Sequence, residues 1–360
     1  MEIDAVEVVE VVGVEGSAVP SALYVEVRAG DVTGRFGPIQ PSQADVIRRT
    51  LTPALLGRDP LATEAVHDAM LRLDRHGRSG LFMTGMSPID CALWDLKGKA
   101  LGLPVWRLLG GPTRADVPAY ASTLGHSVEP DEAAAVATEY VAAGYEAQKW
   151  FFGFGPDDGA AGMEKNLDLA RAVRAAVGPH HRLMFDVVMR WTADYAVAMV
   201  RKLAEVEPAW VEEPVPPERV DTLRRIRDAA PVPIATGEHV YTRWQVKELL
   251  AAGALDVVQT DPDWCGGITE QVKICALASA YDVPVIAHGH SLLPALHIAG
   301  AQPASVVPEV EYLVLWQPMK QHFHTPLRAP VDGRFTLPEE PGLGLVIDES
   351  KVAARRTWPG

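Results

Sequence analysis

From Val117 onward the chain repeats one pattern: a short apolar run, a polar residue where the run stops, then a stretch with helical spacing of apolar positions. Helices are expected over 131–143, 163–177, 193–205, 244–252 and 269–281, where apolar residues recur at intervals of three and four. The strand candidates between them include Leu183-Met184-Phe185, Trp210-Val211, Ile234-Ala235-Thr236-Gly237 and Asp256-Val257-Val258-Gln259-Thr260. Pro231-Val232-Pro233-Ile234-Ala235 is echoed by Val283-Pro284-Val285-Ile286-Ala287, as in a chain of repeated units. Asp186, Glu212, Glu238, Asp261, His288 and Glu311 fall one per unit, separated by 26, 26, 23, 27 and 23 residues. These steps approach the roughly 30-residue βα unit of an eight-stranded barrel. The fold class is therefore α/β, a modified (β/α) barrel of the TIM type, placed over residues 116–325.

The first 115 residues have a different grain. Residues 3–14 and 21–28 are valine-rich and partly alternating, with Gly16-Ser17-Ala18-Val19-Pro20 between them, which predicts an antiparallel pair. Ser87-Pro88-Ile89-Asp90 has the look of a capping box with proline at the first helical position, so a helix is expected from there through Lys99, stopping at Gly102-Leu103-Pro104. After about residue 325 the grain changes again, with turns at Val331-Asp332-Gly333-Arg334 and Pro341-Gly342-Leu343-Gly344. Residues 326–360 are expected to rejoin the N-terminal α+β domain.

Composition narrows the function class. With 360 residues, 48% of them hydrophobic, the chain is long enough for a barrel and a smaller domain. The acidic start Met1-Glu2-Ile3-Asp4 is unlike a signal peptide, and no apolar run nears the ~18 residues of a membrane span. A cytoplasmic protein without a membrane partner is expected. Cys91, Cys265 and Cys275 lack paired spacing, so neither a disulfide framework nor a thiolate metal site is indicated. A formal charge of −14 without a Lys/Arg cluster argues against a nucleic-acid partner.

Carboxylates at the C-terminal ends of consecutive strands converge at a barrel mouth, where barrel enzymes place their chemistry. Bare, they would raise each other's pKa; a hard divalent cation relieves this, and oxygen-only ligation by Asp186, Glu212 and Glu238 suits Mg²⁺. The bland alternative, acids merely capping the following helices, weakens when three sit at matched strand ends. Of Glu212 and Glu213, strand alternation aims only one into the mouth, without saying which, and Asp263 is a further acid nearby. Asp261 and His288, on adjacent strands, could pair as a general base, although His290 lies two residues on and shares the same face. Lys149 is the one cation at a candidate strand end, placed to hold a substrate carboxylate or else to reach solvent.

Motif order adds a family. Ala92-Leu93-Trp94-Asp95-Leu96-Lys97-Gly98-Lys99-Ala100 with Leu108-Leu109-Gly110-Gly111, then Trp210-Val211-Glu212-Glu213-Pro214, Thr236-Gly237-Glu238-His239, Gln259-Thr260-Asp261 with Gly266-Gly267-Ile268-Thr269, and Ala287-His288-Gly289-His290-Ser291 follow one another at the right spacing. Over nearly its whole length the chain resembles enolase-superfamily members of the mandelate racemase group, and within it the acid-sugar dehydratases related to rhamnonate dehydratase. The resemblance implies an α+β capping domain, built from the N-terminal region and the C-terminal tail, over the modified barrel. It implies Glu212 rather than Glu213 as the metal ligand, and His288 as the base in a His-Gly-Ser-Ser-like motif whose third position is substituted by His290. Glu311 matches an acid that contacts the region of the substrate carboxylate.

Two departures carry information. The group's racemases end the second strand with Lys-x-Lys, whereas Lys149-Trp150-Phe151 puts phenylalanine where the second base would stand. Val188, two residues after Asp186, occupies a position that is often polar or aromatic in such proteins. What the resemblance implies is Mg²⁺-dependent abstraction of the proton α to a carboxylate and loss of the β-hydroxyl from an acid sugar, with isomerisation or cycloisomerisation as the alternative. The expected partners are a small acid-sugar substrate and further copies of the chain in a homo-oligomer. Arg35-Phe36-Gly37 and Arg75-His76-Gly77-Arg78 in the cap loops are candidate substrate contacts.

Overall fold

The computed structural model describes residues 1–359. Valine-rich, partly alternating sequence at the N-terminus gives strands β1 (Ala5–Gly13), β2 (Ser21–Ala29) and β3 (Val32–Ile39). They form an antiparallel sheet completed at one edge by the last strand of the chain, so its order is β12–β1–β2–β3, with β12 at Val352–Thr357. The sheet packs on the 22-residue helix Gly80–Leu101. That contact is so close that a Cβ on Gly34 would lie 2.0 Å from the Ala92 carbonyl oxygen, which is why β3 carries glycine there.

The helix begins at Ser79–Gly80, not at the expected Ser87–Pro88. An interior proline removes one donor from the helical ladder and orphans the carbonyl four residues back. Here the freed Thr84 carbonyl accepts a hydrogen bond from Gln43 Nε2 at 2.9 Å, and Ser87 Oγ donates back to the Met83 carbonyl at 2.7 Å. A partner distant in sequence therefore lets the helix run through Pro88. Asp90, read as a capping residue of its own helix, instead accepts from the Thr269 amide at 2.9 Å, at the start of the barrel helix Gly267–Ser279.

Parallel strands β4 (Asp116–Ser122), β5 (Ala147–Phe151), β6 (Arg182–Asp186), β7 (Trp210–Glu212), β8 (Ile234–Thr236) and β9 (Val257–Val258) follow one another around a curled sheet, and β10 (Val310–Leu313) pairs back onto β4. The segment leading to His288 makes a single parallel bridge, Val285 to Val258, with the Ile286 amide donating to the Val258 carbonyl at 2.8 Å. Helices such as Pro130–Ala142, Gly159–Val177 and Ala193–Leu203 alternate with the strands. The architecture is the modified (β/α) barrel expected from the 23–27-residue repeat. The tail departs from expectation in one place. Strand β11 (Arg334–Thr336) pairs antiparallel with β4 of the barrel sheet, and only β12 reaches the N-terminal sheet. Among the described residues, no helix is long and apolar enough to cross a membrane.

Candidate active site

The barrel interior is layered by the two-residue period of its strands. Tyr120, Ala147, Met184, Trp210, Ala235, Val257 and Ile286 form a separate buried apolar layer. Two residues further along five of these strands lie Lys149, Asp186, Glu212, Gln259 and His288, so the same periodicity that fills the core delivers polar groups to the C-terminal mouth. Register puts Phe151 beside Asp186 and Asp186 beside Glu212.

Asp186, Glu212 and Glu238 each place an oxygen within 4.8 Å of the other two. Lys149 Nζ lies 2.6 Å from Glu212 Oε1, 2.9 Å from Glu311 Oε1 and 3.2 Å from Asp186 Oδ2. Its ammonium is thus paired with three acids and buried beneath the mouth. Gln259 Nε2 and Trp210 Nε1 donate to Glu212 Oε2 at 2.8 and 3.2 Å and fix that carboxylate. Asp186 Oδ1 accepts from the Val188 amide at 2.9 Å, which holds Val188 and Met189 at φ 52° and 59°. Left-handed backbone is uncommon for a β-branched residue, and strain of this kind concentrates at functional sites.

Burial, and after it the charge of Asp186, pushes the Glu212 carboxyl up to about 8. Burial also raises Asp186 to about 6, against the Lys149 ammonium, and Glu238 to about 7, against His288. These shifts, the all-oxygen donor set and the surplus of carboxylates over the single ammonium fit a hard divalent cation. Glu213 adds to the acidity. Strand β7 ends at Glu212 and Glu213 has φ 41°, so strand alternation no longer applies and both glutamates are buried at the mouth. The expectation that only one aims inward therefore fails. Glu213 faces His239 Nδ1 at 3.2 Å, and Glu213, Glu238 and His239 form a second trio within 4.8 Å.

Asp261 and His288 are joined as expected, with His288 Nδ1 2.9 Å from Asp261 Oδ2. Asp261 also accepts from Ser291 Oγ, and from the Asp263 amide at 2.7 Å. Although burial alone would raise it, the hydrogen bond to His288 holds Asp261 below the usual carboxylate range. Burial would likewise depress His288, but the charge of Glu238, 3.5 Å from Nε2, and the Asp261 bond lift it to about 10. Glu311 Oε2 accepts from the Gly289 amide at 2.8 Å, so the eighth-strand acid shapes the loop that carries both histidines.

His290 is built like a copy of His288. Its Nδ1 lies 3.2 Å from Asp263 Oδ2, its ring is tilted 11° from that of His288, and the Trp264 ring sits 4.9 Å from each imidazole. Asp263 is thus a partner of His290 and no member of the acid triad. The pairing was missed in sequence, yet its signal was there, because 261 and 263 repeat the spacing of 288 and 290.

A cavity of ≈ 710 Å³ opens between cap and barrel, with Glu238, His288, His290 and Trp264 in its barrel wall. None of the cap residues suggested as substrate contacts lines it. Arg35 stands opposite Glu26 in the β2–β3 register and is bound to it at 2.6 Å, while Arg75 and His76 lie in a loop away from the cavity. The cap reaches the cavity instead through Leu23, Ile39 and their neighbours.

Residues 22–110 match the family described as mandelate racemase / muconate lactonizing enzyme, N-terminal domain, and residues 132–351 match the family described as enolase C-terminal domain-like. D-galactarolactone cycloisomerase of Agrobacterium fabrum is 34% identical over 353 residues, covering 93% of this chain and 91% of the relative. L-rhamnonate dehydratase of Saccharopolyspora erythraea is 33% identical over 361 residues, covering 95% and 87%. Among solved structures, an enolase-superfamily member from Salmonella Typhimurium superposes with a TM-score of 0.90 at 28% identity, covering 99% of both chains.

Proposed function

The chain belongs to the mandelate racemase / muconate lactonizing enzyme family of the enolase superfamily, and on that premise we propose that it is a Mg²⁺-dependent hydro-lyase converting an acid sugar to its 2-keto-3-deoxy product. The observation that carries the reading is the buried convergence of Asp186, Glu212 and Glu238 beside the His288–Asp261 pair. The three acids would hold the ion, which when bound supplies positive charge to the substrate carboxylate as negative charge builds there.

The remaining work falls to side chains of this protein. His288 Nε2 takes the proton from the carbon α to the carboxylate, while Asp261 keeps the other ring nitrogen protonated and the ring oriented. The β-carbon–oxygen bond then breaks, and the departing hydroxide takes up a proton, which His288 can return, to leave as water. The resulting enol tautomerises to the 2-keto acid. Lys149 adds a fixed positive charge beneath the site, and Glu311 keeps the His288 loop in place through the Gly289 amide. Phe151, under the Lys149 ammonium at 5.5 Å, offers no base to the opposite face, which disfavours racemisation.

One relative favours a second reading: the 34% identical protein is a cycloisomerase, and that chemistry would use the same proton abstraction without loss of water. Incubation with a panel of mono- and dicarboxylic acid sugars in Mg²⁺, read by mass and by 2-keto acid formation, separates the two. Loss of one water with a new 2-keto acid supports dehydration. Isomerised product of unchanged mass supports the alternative. Absence of turnover and of α-proton exchange across the whole panel would sink both.

A further inference from the structure

The chemistry proposed above uses the barrel wall of the cavity and leaves its other walls unexplained. Those walls are mostly apolar, with Lys320 as their one lysine. Leu23 and Ile39 come from the cap, and Leu124, Leu313, Trp316 and Met319 from the ends of barrel elements. The polar residues that the cap adds are Glu10, Ser21 and Gln40, and no arginine lines the space among the described residues.

Leu124, Trp316 and Met319 are 37%, 52% and 48% exposed, so large apolar side chains face the opening without a cover of their own. A hexonate with a hydroxyl on every carbon would press its last three hydroxyls against these walls. They would lose water there and gain few hydrogen bonds in return. A second carboxylate at the far end would meet Glu10, and the one lysine lining the space, Lys320, already donates to the His290 carbonyl at 2.6 Å. A hydrocarbon end, by contrast, would cover Leu124, Trp316 and Met319 and release the water on them.

We propose that the substrate is a monocarboxylate oxygenated near the carboxyl group and apolar at its remote end, with Leu23, Ile39, Leu313, Trp316 and Met319 selecting for that end. This rests on the dehydratase reading for the polar half of the molecule and deepens it.

Calorimetric titration of the full chain in Mg²⁺ with 2-hydroxyhexanoate, D-gluconate and D-glucarate tests the selection without turnover. The hydrocarbon-ended acid is expected to bind at least about tenfold more tightly than gluconate, and glucarate more weakly still. Equal or tighter binding of gluconate or glucarate overturns the proposal, as does absence of binding by all three. Trp316→Gln and Met319→Gln, at exposed positions that spare the fold, are expected to cut the preference to within about threefold. A preference unchanged in both variants overturns the assignment of these walls. Turnover of 2,3-dihydroxyhexanoate is read separately. Tight binding of 2-hydroxyhexanoate with no water lost from the dihydroxy acid would refute the dehydratase reading and leave the selection standing.

Discussion

Two sets of buried acids in this molecule have opposite surroundings. In the seam between cap and barrel, Asp95 accepts from the Arg35 amide at 2.7 Å, the Leu343 amide at 2.8 Å and Lys99 Nζ at 2.6 Å. Asp90 accepts from the Thr269 amide. These carboxylates terminate backbone donors from three parts of the chain and lock the helix Gly80–Leu101 to the sheet, the barrel and the tail. At the barrel mouth, Asp186, Glu212 and Glu238 face each other, and the first two share Lys149 with Glu311. Burial alone does not distinguish structure from chemistry; the partners do. An acid aimed at amides holds the fold, and acids crowded against one another form a cluster that could hold a metal ion.

Neutralising a mouth acid should therefore separate activity from stability most widely. Glu238→Gln is expected to lower kcat/KM by at least about a thousandfold, by loss of charge stabilisation. In metal-free buffer its Tm should equal or exceed that of the wild type, because a crowded carboxylate has been removed. A Tm several degrees lower with activity retained would erase the distinction.

The seam should behave in the reverse way. Asp95→Ala leaves Lys99 and two amides without their acceptor and is expected to cost about 3–5 kcal/mol in denaturant unfolding. The protein that remains folded should keep its activity per active molecule. Loss of activity with unchanged stability would place Asp95 in the chemistry.

A smaller effect follows from pH. Burial pushes the Asp90 carboxyl up from 3.8 to about 7. Its folded-state pKa lies above the unfolded value, so its contribution is fully present below pH 3.8 and is lost as pH rises towards about 7. Asp90→Asn keeps an acceptor for the Thr269 amide and removes the titration. Stability of the variant should accordingly fall less than that of the wild type between pH 4 and 7, measured by chemical unfolding. Parallel curves would mean that Asp90 is not ionised on unfolding as described.

What sequence reading captured and missed follows the same division. The barrel and its polar layer were legible because period-two alternation and one polar strand end per βα unit are local features. The helix through Pro88 was not, because its missing donor is compensated by Gln43, which lies 41 residues from Thr84. Glu213 escaped because alternation stops where the backbone turns left-handed, and no residue type announced that turn. The helix Leu292–Ala301 is buried on all sides, so it has no polar face to give a period. The cap arginines drew attention by charge, whereas the cavity is reached by Leu23 and Ile39, residues indistinguishable in sequence from ordinary core.

The central claim is that the mouth acids and His288 form a single proton-abstracting site. Exchange of the substrate α-proton with deuterated solvent tests it directly, followed by NMR on an accepted acid for the wild type, His288→Asn and His290→Asn, each with Mg²⁺ and with chelator. The account predicts exchange in the wild type and in His290→Asn with Mg²⁺, and none in His288→Asn or in any protein with chelator present. Exchange at wild-type rate in His288→Asn, or undiminished by chelation, would contradict it.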